Sequence, residues 1–214
     1  MQRAGAASGR AAAGLVLLHG RGGSAVDILG LLGPLALPDV AALAPEAPGN
    51  SWWPTSFLAP TAQIEPFVEA AFVAVRAGVA AFEGEGLQRS QIWLGGFSQG
   101  ACLALEAFAR EGDGLAGVFG LSGGLVGSGD ATGGAEQALY GHKPKDFTYS
   151  GRRDGARVWI SVHERDPHIP LIRAQQSGDV LRAMGATVEM HIYPGAGHAV
   201  MQPDLAAMRA RLNG

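Results

Sequence analysis

The chain has 214 residues, with 16 Lys and Arg against 19 Asp and Glu and a formal net charge of −3. That length fills one domain with a full core and is short for two, while a weakly negative charge with no basic run argues against nucleic acid or an anionic membrane surface as partner. Sparse charge, abundant glycine and many aliphatic residues fit an α/β protein with a buried parallel sheet and tight strand-to-helix turns.

Residues 1–13 are small and polar, reading as a flexible N-terminus without the apolar segment of a secretory signal, so a cytoplasmic protein is expected, with residues 14–214 as its single domain. The longest apolar stretch, Ile28 to Pro45, is interrupted by Gly33, Pro34, Pro38 and Asp39, which rules it out as a membrane span. One cysteine, Cys102, precludes an internal disulfide, and no histidine and cysteine cluster has metal-ligand spacing. Neither a metal nor another cofactor is expected.

Leu15–Leu18 is a short apolar run that reads as a central strand. It ends in His19-Gly20-Arg21-Gly22-Gly23, after which Ser24 opens a helix with Asp27 as its capping-box acid. A glycine-rich turn here is also a phosphate-binding pattern, but its spacing fits neither a P-loop nor a dinucleotide fingerprint, and no lysine follows. Val40–Ala44 is the next strand, followed by a loop, Pro45 to Pro60, that carries Trp52, Trp53, Phe57 and Leu58. A helix then begins at Thr61 or Pro66, the proline fitting a first turn better than an interior. Its apolar stripe is Phe67, Val68, Ala71, Phe72, Val75, Val79 and Phe82.

Gln91–Gly95 reads as a buried strand and Ala101–Ala109 as a helix; Gly96-Phe97-Ser98-Gln99-Gly100 lies between them. Five letters of the form Gly-x-Ser-x-Gly match by chance, but a strand before and a helix after supply the required context. A serine hydroxyl becomes a useful nucleophile when a sharp turn holds it in the open beside a base. The flanking glycines then remove side chains from a crowded, strained turn. Ala116–Leu121 is a further strand. Residues 122–155 are rich in glycine, polar and without sustained period, and read as a long loop or flap. Arg157–Val162 and Thr187–Tyr193 are strands, the second nearer a sheet edge, each followed by a helix. The alternation argues a mostly parallel sheet with helices on both faces and a site at the strand C-terminal ends.

A nucleophilic serine needs a histidine within reach and an acid that orients it, arriving in the chain order Ser, acid, His. His19 and His142 lie too early or too far from the required strands, His163 ends its own strand, and His191 sits within a strand pattern. His168 follows the candidate acid too closely. His198, in the glycine-rich loop after the last strand, is left as the base. Asp166 follows its strand by a short turn and is the acid, with Glu164 the alternative, since Asp154 precedes its strand and Asp179 falls in a helix.

The segments LLHGRGGS (17–24), GFSQGA (96–101), DPHIP (166–170) and PGAGH (194–198) occur in an order and spacing that resembles the phospholipase/carboxylesterase family of α/β-hydrolases, the group that includes acyl-protein thioesterases. The resemblance runs from Leu15 to the last helix. It implies an α/β-hydrolase fold and a serine hydrolase with Ser98 as nucleophile, Asp166 as acid and His198 as base. It also implies that the backbone amides of Arg21 and Gln99 form an oxyanion hole. Two features depart from the family: 122–155 is longer than the usual connection, and HGRGGS replaces the HG-Leu-Gly-Asp type of turn of eukaryotic thioesterases, being closer to small bacterial esterases.

Trp53 and Phe57 are candidates for a substrate pocket or for a satellite core under their loop, with Leu125 and Val126 as further candidates. The Arg21 side chain either contacts an acidic substrate group or faces solvent, and Cys102 reads as a small buried residue. A carboxylesterase acting on small to medium esters is the expected function, the alternatives being a thioesterase or lysophospholipase, a dienelactone-hydrolase-like enzyme, or a non-catalytic binding module. The apolar composition also suits a homodimer.

Overall fold

A computed structural model describes residues 1–132 and 142–213. Seven strands form one sheet: β1 (Gln2–Gly5), β2 (Ala13–Leu18), β3 (Val40–Ala44), β4 (Ile92–Phe97), β5 (Gly117–Leu121), β6 (Arg157–Arg165) and β7 (Thr187–Ala196). They lie in the order β1-β3-β2-β4-β5-β6-β7, parallel throughout except for β1 against β3. The helices are α1 (Ala25–Leu29), α2 (Leu32–Leu35), α3 (Thr61–Gly84), α4 (Gln99–Glu111), α5 (Leu171–Ala183) and α6 (Gln202–Leu212). This is the α/β-hydrolase architecture.

The two-residue period of each strand divides its side chains between two cores. Val16 and Leu18 of β2 pack with Phe72 and Phe82 of α3, Leu103 and Phe108 of α4, and Leu181 of α5. Leu15 and Leu17 point the other way, toward Ile28, Leu35 and Met208 of α1, α2 and α6. Both faces of the central strands are thus dry, which is why their sequences run apolar without alternation.

Two expectations need correction, and one of two alternatives is decided. Residues 2–5, read as flexible, instead form the antiparallel edge strand: Gln2 to Gly5 pair with Ala44 to Ala41, and Arg3 makes an ion pair to Glu85 at 2.6 Å. Unpaired backbone groups on β3 supply the partner that no local pattern announces. Of the two expected starts of helix α3, Thr61 is the one taken, a turn before Pro66, because residues across the fold cap it: the Thr61 amide donates to the Ser128 carbonyl at 3.0 Å and the Ala62 amide to Asp130 Oδ1 at 2.7 Å. Phe67 leaves the buried stripe and is exposed, while Ile64 joins it.

Of the expected flap, residues 133–141 lie outside the described residues. Its described parts pack on the back of α4. Glu106, wholly buried, accepts from Arg110 Nε at 2.8 Å, Lys145 Nζ at 2.9 Å, the Tyr149 hydroxyl at 2.8 Å and the Val126 amide at 2.9 Å. Lys145 also donates to the Val126 carbonyl. Burial pulls the Lys145 ammonium below its ordinary pKa even though Glu106 opposes the shift. Removing the carboxylate strands that cation, so Glu106→Ala is expected to lower stability by about 3–5 kcal/mol, read as a shift of the urea unfolding midpoint.

Candidate active site

The turn from β4 into α4 holds Ser98 at φ 55° and ψ −118°, a conformation that costs a non-glycine residue on the order of 1–3 kcal/mol. The surroundings enforce it. The Ser98 amide donates to the Leu121 carbonyl at 2.9 Å, and its carbonyl accepts from Cys102 at 3.0 Å. A Cβ at Gly100 would lie 2.0 Å from the Leu18 carbonyl oxygen, and one at Gly96 2.4 Å from the Gly100 carbonyl. No side chain fits at either position.

Two loops at the same sheet edge bring partners to this hydroxyl. His198 Nε2 lies 2.8 Å from Ser98 Oγ, and its Nδ1 lies 2.8 and 3.0 Å from the two Asp166 oxygens. A carboxylate only accepts, so Nδ1 carries the proton and Nε2 is left to accept from the serine. Asp166 Oδ1 also takes the amides of His168 at 2.9 Å and Ile169 at 3.0 Å. Burial pushes the Asp166 carboxyl up, but the bonds from His198 and these two amides outweigh it and hold the group below its ordinary value. The Asp166 side chain is inaccessible to solvent.

The other sequence candidates support this chain of contacts. Glu164 does not replace Asp166; its Oε2 accepts the Gly195 amide at 2.9 Å and so ties down the loop that carries His198. His163 is buried under that loop, against Gly197. His168 meets the His198 ring edge-on with centroids 4.8 Å apart, and the tilted Phe97 ring lies 4.9 Å from that of His198. His191 packs between Trp159 and Tyr193.

The amides of Arg21 and Gln99 have no protein acceptor among the described residues. Gln99 is the first residue of α4, where the helix dipole adds positive potential. The side chains of the same two residues hold the loop after β3. Gln99 Oε1 accepts the Trp52 amide at 3.0 Å and Nε2 donates to the Trp53 carbonyl at 2.9 Å. The Arg21 guanidinium, expected to face solvent or a substrate acid, is exposed and also donates to the Pro54 and Thr55 carbonyls. Further bonds stitch the same parts together: Ala47 amide to His19 Nε2 at 3.1 Å, Trp52 Nε1 to the His19 carbonyl at 2.9 Å, and Gly22 amide to the Asn50 carbonyl at 2.7 Å.

That loop walls a cleft of about 610 Å³ beside Ser98. Trp53 and Phe57 line it and belong to the hydrophobic core as well, so the two readings of them coincide. Leu125 does not line it. It is fully buried, with its amide on Ser177 Oγ and its carbonyl on Arg173, so residues after β5 turn inward toward α5. Cys102 reaches the cleft wall, and burial pushes its thiol up to about 12. Phe97 and Ile169 also line the cleft. Both lie inside the motifs GFSQGA and DPHIP, which is the signal that marks them.

A sequence profile of the Phospholipase/Carboxylesterase family matches residues 4–138, more than half of the chain. The chain belongs to this family. Acyl-protein thioesterase 1 of Gibberella zeae is 32% identical over 127 residues, 59% of this chain and 49% of that relative, so the match spans about half the length of the relative. A crystal structure of a phospholipase/carboxylesterase from Dyadobacter fermentans superposes with a TM-score of 0.85 at 36% identity, covering 100% of this chain and 95% of the other. That of esterase PE8 gives 0.73 at 26% identity, covering 99% and 96%. No helix among the described residues is long and apolar enough to cross a membrane.

The tie between Gln99 and the tryptophan loop is open to test. Gln99→Glu keeps the backbone amide and the side-chain shape but sets a carboxylate oxygen against the Trp53 carbonyl. A loss of about 1–3 kcal/mol is expected, with a red shift of tryptophan emission as Trp52 and Trp53 become wetter.

Proposed function

We propose that the protein is a serine carboxylesterase that hydrolyses small to medium-chain carboxylic esters through an acyl-enzyme. The observation that carries this reading is the continuous hydrogen-bonded series from Ser98 Oγ through His198 to Asp166. His198 Nε2 takes the serine proton as Oγ attacks the ester carbonyl, and Asp166 stabilises the imidazolium that forms. The amides of Arg21 and Gln99 receive the negative oxygen, a contribution of about 3 kcal/mol per donor at comparable sites. The alcohol leaves with the proton held by His198; a water, deprotonated by the same imidazole, then releases the acid. No step calls for a cofactor.

The acyl group occupies the cleft lined by Trp53 and Phe57, consistent with these apolar groups in its mixed wall and with its volume. The reading includes a cytoplasmic location. A thioesterase reading uses the same residues, and the identity to an acyl-protein thioesterase supports it. Paired oxygen and sulfur esters of equal acyl length separate the two by their kcat/KM ratio.

Ser98→Ala is expected to lower kcat on p-nitrophenyl acetate by a factor on the order of 10⁴ to 10⁶, and a variant that kept the wild-type rate would sink the scheme. Asp166→Asn leaves the hydroxyl and imidazole in place but favours the wrong tautomer. A loss of about 10⁴ in kcat is expected, measured with the same substrate.

A further inference from the structure

The wall of the cleft is uneven in charge. Besides Ser98 and His198, the ionisable side chains that line it are Arg21, Cys102 and His168, and no carboxylate is among them. Asp166 is closed off from solvent and held by His198. Asp27 accepts from the Ser24 hydroxyl at 2.7 Å and borders a separate recess that neither Ser98 nor His198 lines. An anion entering the cleft therefore meets no fixed negative charge on its wall. Arg21 supplies a positive one. Its Nη1 donates to the Pro54 carbonyl at 3.1 Å and its Nη2 to the Thr55 carbonyl, and both of those residues line the cleft with Ser98. The two bonds hold the head of an exposed side chain on the cleft wall. They leave its charge in place, because a carbonyl carries none, and they use two of the five N–H groups that a guanidinium has. Among the described residues no carboxylate pairs with it. A cation tethered beside the nucleophile, with donors to spare, is a preorganised anion site.

We infer that the Arg21 side chain selects esters whose acyl part ends in a second, free carboxylate: monoesters of short diacids such as succinate and glutarate. The inference rests on the esterase reading given above, in which the Arg21 amide receives the carbonyl oxygen and the acyl group lies in the cleft. Amide and guanidinium belong to one residue, so the span from reacting carbonyl to anion is set by the length of one arginine side chain. A diacid with a few methylenes between its carboxyl groups matches that span. The guanidinium fork takes a carboxylate through charge-assisted N–H bonds, which are stronger than bonds to a neutral acceptor. In the reaction Ser98 Oγ bonds to the ester carbon, the bond from that carbon to the alkoxy oxygen breaks, and the alcohol leaves with the proton from His198. Water then releases the diacid. A phosphate on the alcohol part offers similar charge, but the guanidinium rests on the loop of Trp53 to Thr55, the wall assigned to the acyl group.

The test compares esters that differ in charge and little else: monomethyl against dimethyl succinate, and butyryl glycerophosphate against monobutyrin. Wild-type protein is expected to give a kcat/KM on monomethyl succinate about tenfold or more above that on dimethyl succinate, and added salt to shrink this ratio. Arg21→Gln is expected to remove the preference and Arg21→Lys to keep part of it. Taking the ratio within each variant cancels any general loss from the altered bonds to Pro54 and Thr55. Equal values on the two succinates, or a preference that Arg21→Gln leaves unchanged, would overturn the inference. A preference for butyryl glycerophosphate over monobutyrin, with none for monomethyl succinate, would overturn it by moving the anion to the alcohol. The wild-type ratio and its salt dependence need no variant, so the test stands even where Arg21→Gln fails to fold. Labelling of Ser98 by a fluorophosphonate is followed in parallel. Protein that labels and cleaves dimethyl succinate without preferring the monoester loses the acid-ester inference alone, whereas protein that neither labels nor cleaves any of the four esters loses the esterase reading with it.

Discussion

The closeness of α4 to the end of β2 is the constraint from which the site follows. With a Cβ at Gly100 only 2.0 Å from the Leu18 carbonyl oxygen, the helix begins hard against the sheet, and the chain turns from strand to helix within one residue. Ser98 takes the positive φ that such a turn demands. Its hydroxyl then projects from the strand edge, and the amide of Gln99 is the free N–H at the start of a helix. Strain at one residue is sustained by close packing of its neighbours, which have no lower-energy arrangement available.

The same approach ties the wall of the cleft to the two amides proposed as the oxyanion site. Gln99 and Arg21, whose backbone amides have no acceptor among the described residues, each use the side chain to hold the loop of Trp52 to Thr55. His19 adds a third anchor through its ring and its carbonyl. The wall of the cleft and the ridge of amides therefore behave as one body. A displacement of the tryptophan loop is transmitted to the amides through several hydrogen bonds, each worth roughly 1 kcal/mol.

Two buried carboxylates show how the fold handles charge. Glu106 gathers Arg110, Lys145, Tyr149 and a main-chain amide on the back of α4, fixing the described part of the segment after β5. Asp166 gathers an imidazole and two amides after the end of β6. Both satisfy the rule that a charge removed from water needs full hydrogen-bond partners. In the second case the partner is an imidazole whose other nitrogen reaches Ser98.

Much of this was legible in the chain itself. Apolar runs marked β2 to β6 because burial on both faces leaves little room for polar residues, alternation marked β7 at the sheet edge, and the glycines around Ser98 marked the turn because only they tolerate its crowding. The order of Ser98, Asp166 and His198 after the ends of β4, β6 and β7 followed from the alternation of strands and helices, and the four motifs carried the family resemblance. Local pattern could not reveal contacts made across the fold. The edge strand at Gln2–Gly5 depends on open backbone groups of β3, the first turn of α3 on Asp130 and Ser128, and the inward fate of Leu125 on Ser177 and Arg173. The Arg21 and Gln99 side chains likewise found acceptors some 34 and 46 residues away. Sequence determined which residues must be buried and where the chain must turn, since those are properties of a residue and its neighbours; tertiary structure decided which polar groups meet, since a hydrogen bond is specified by distance in space and not by separation along the chain.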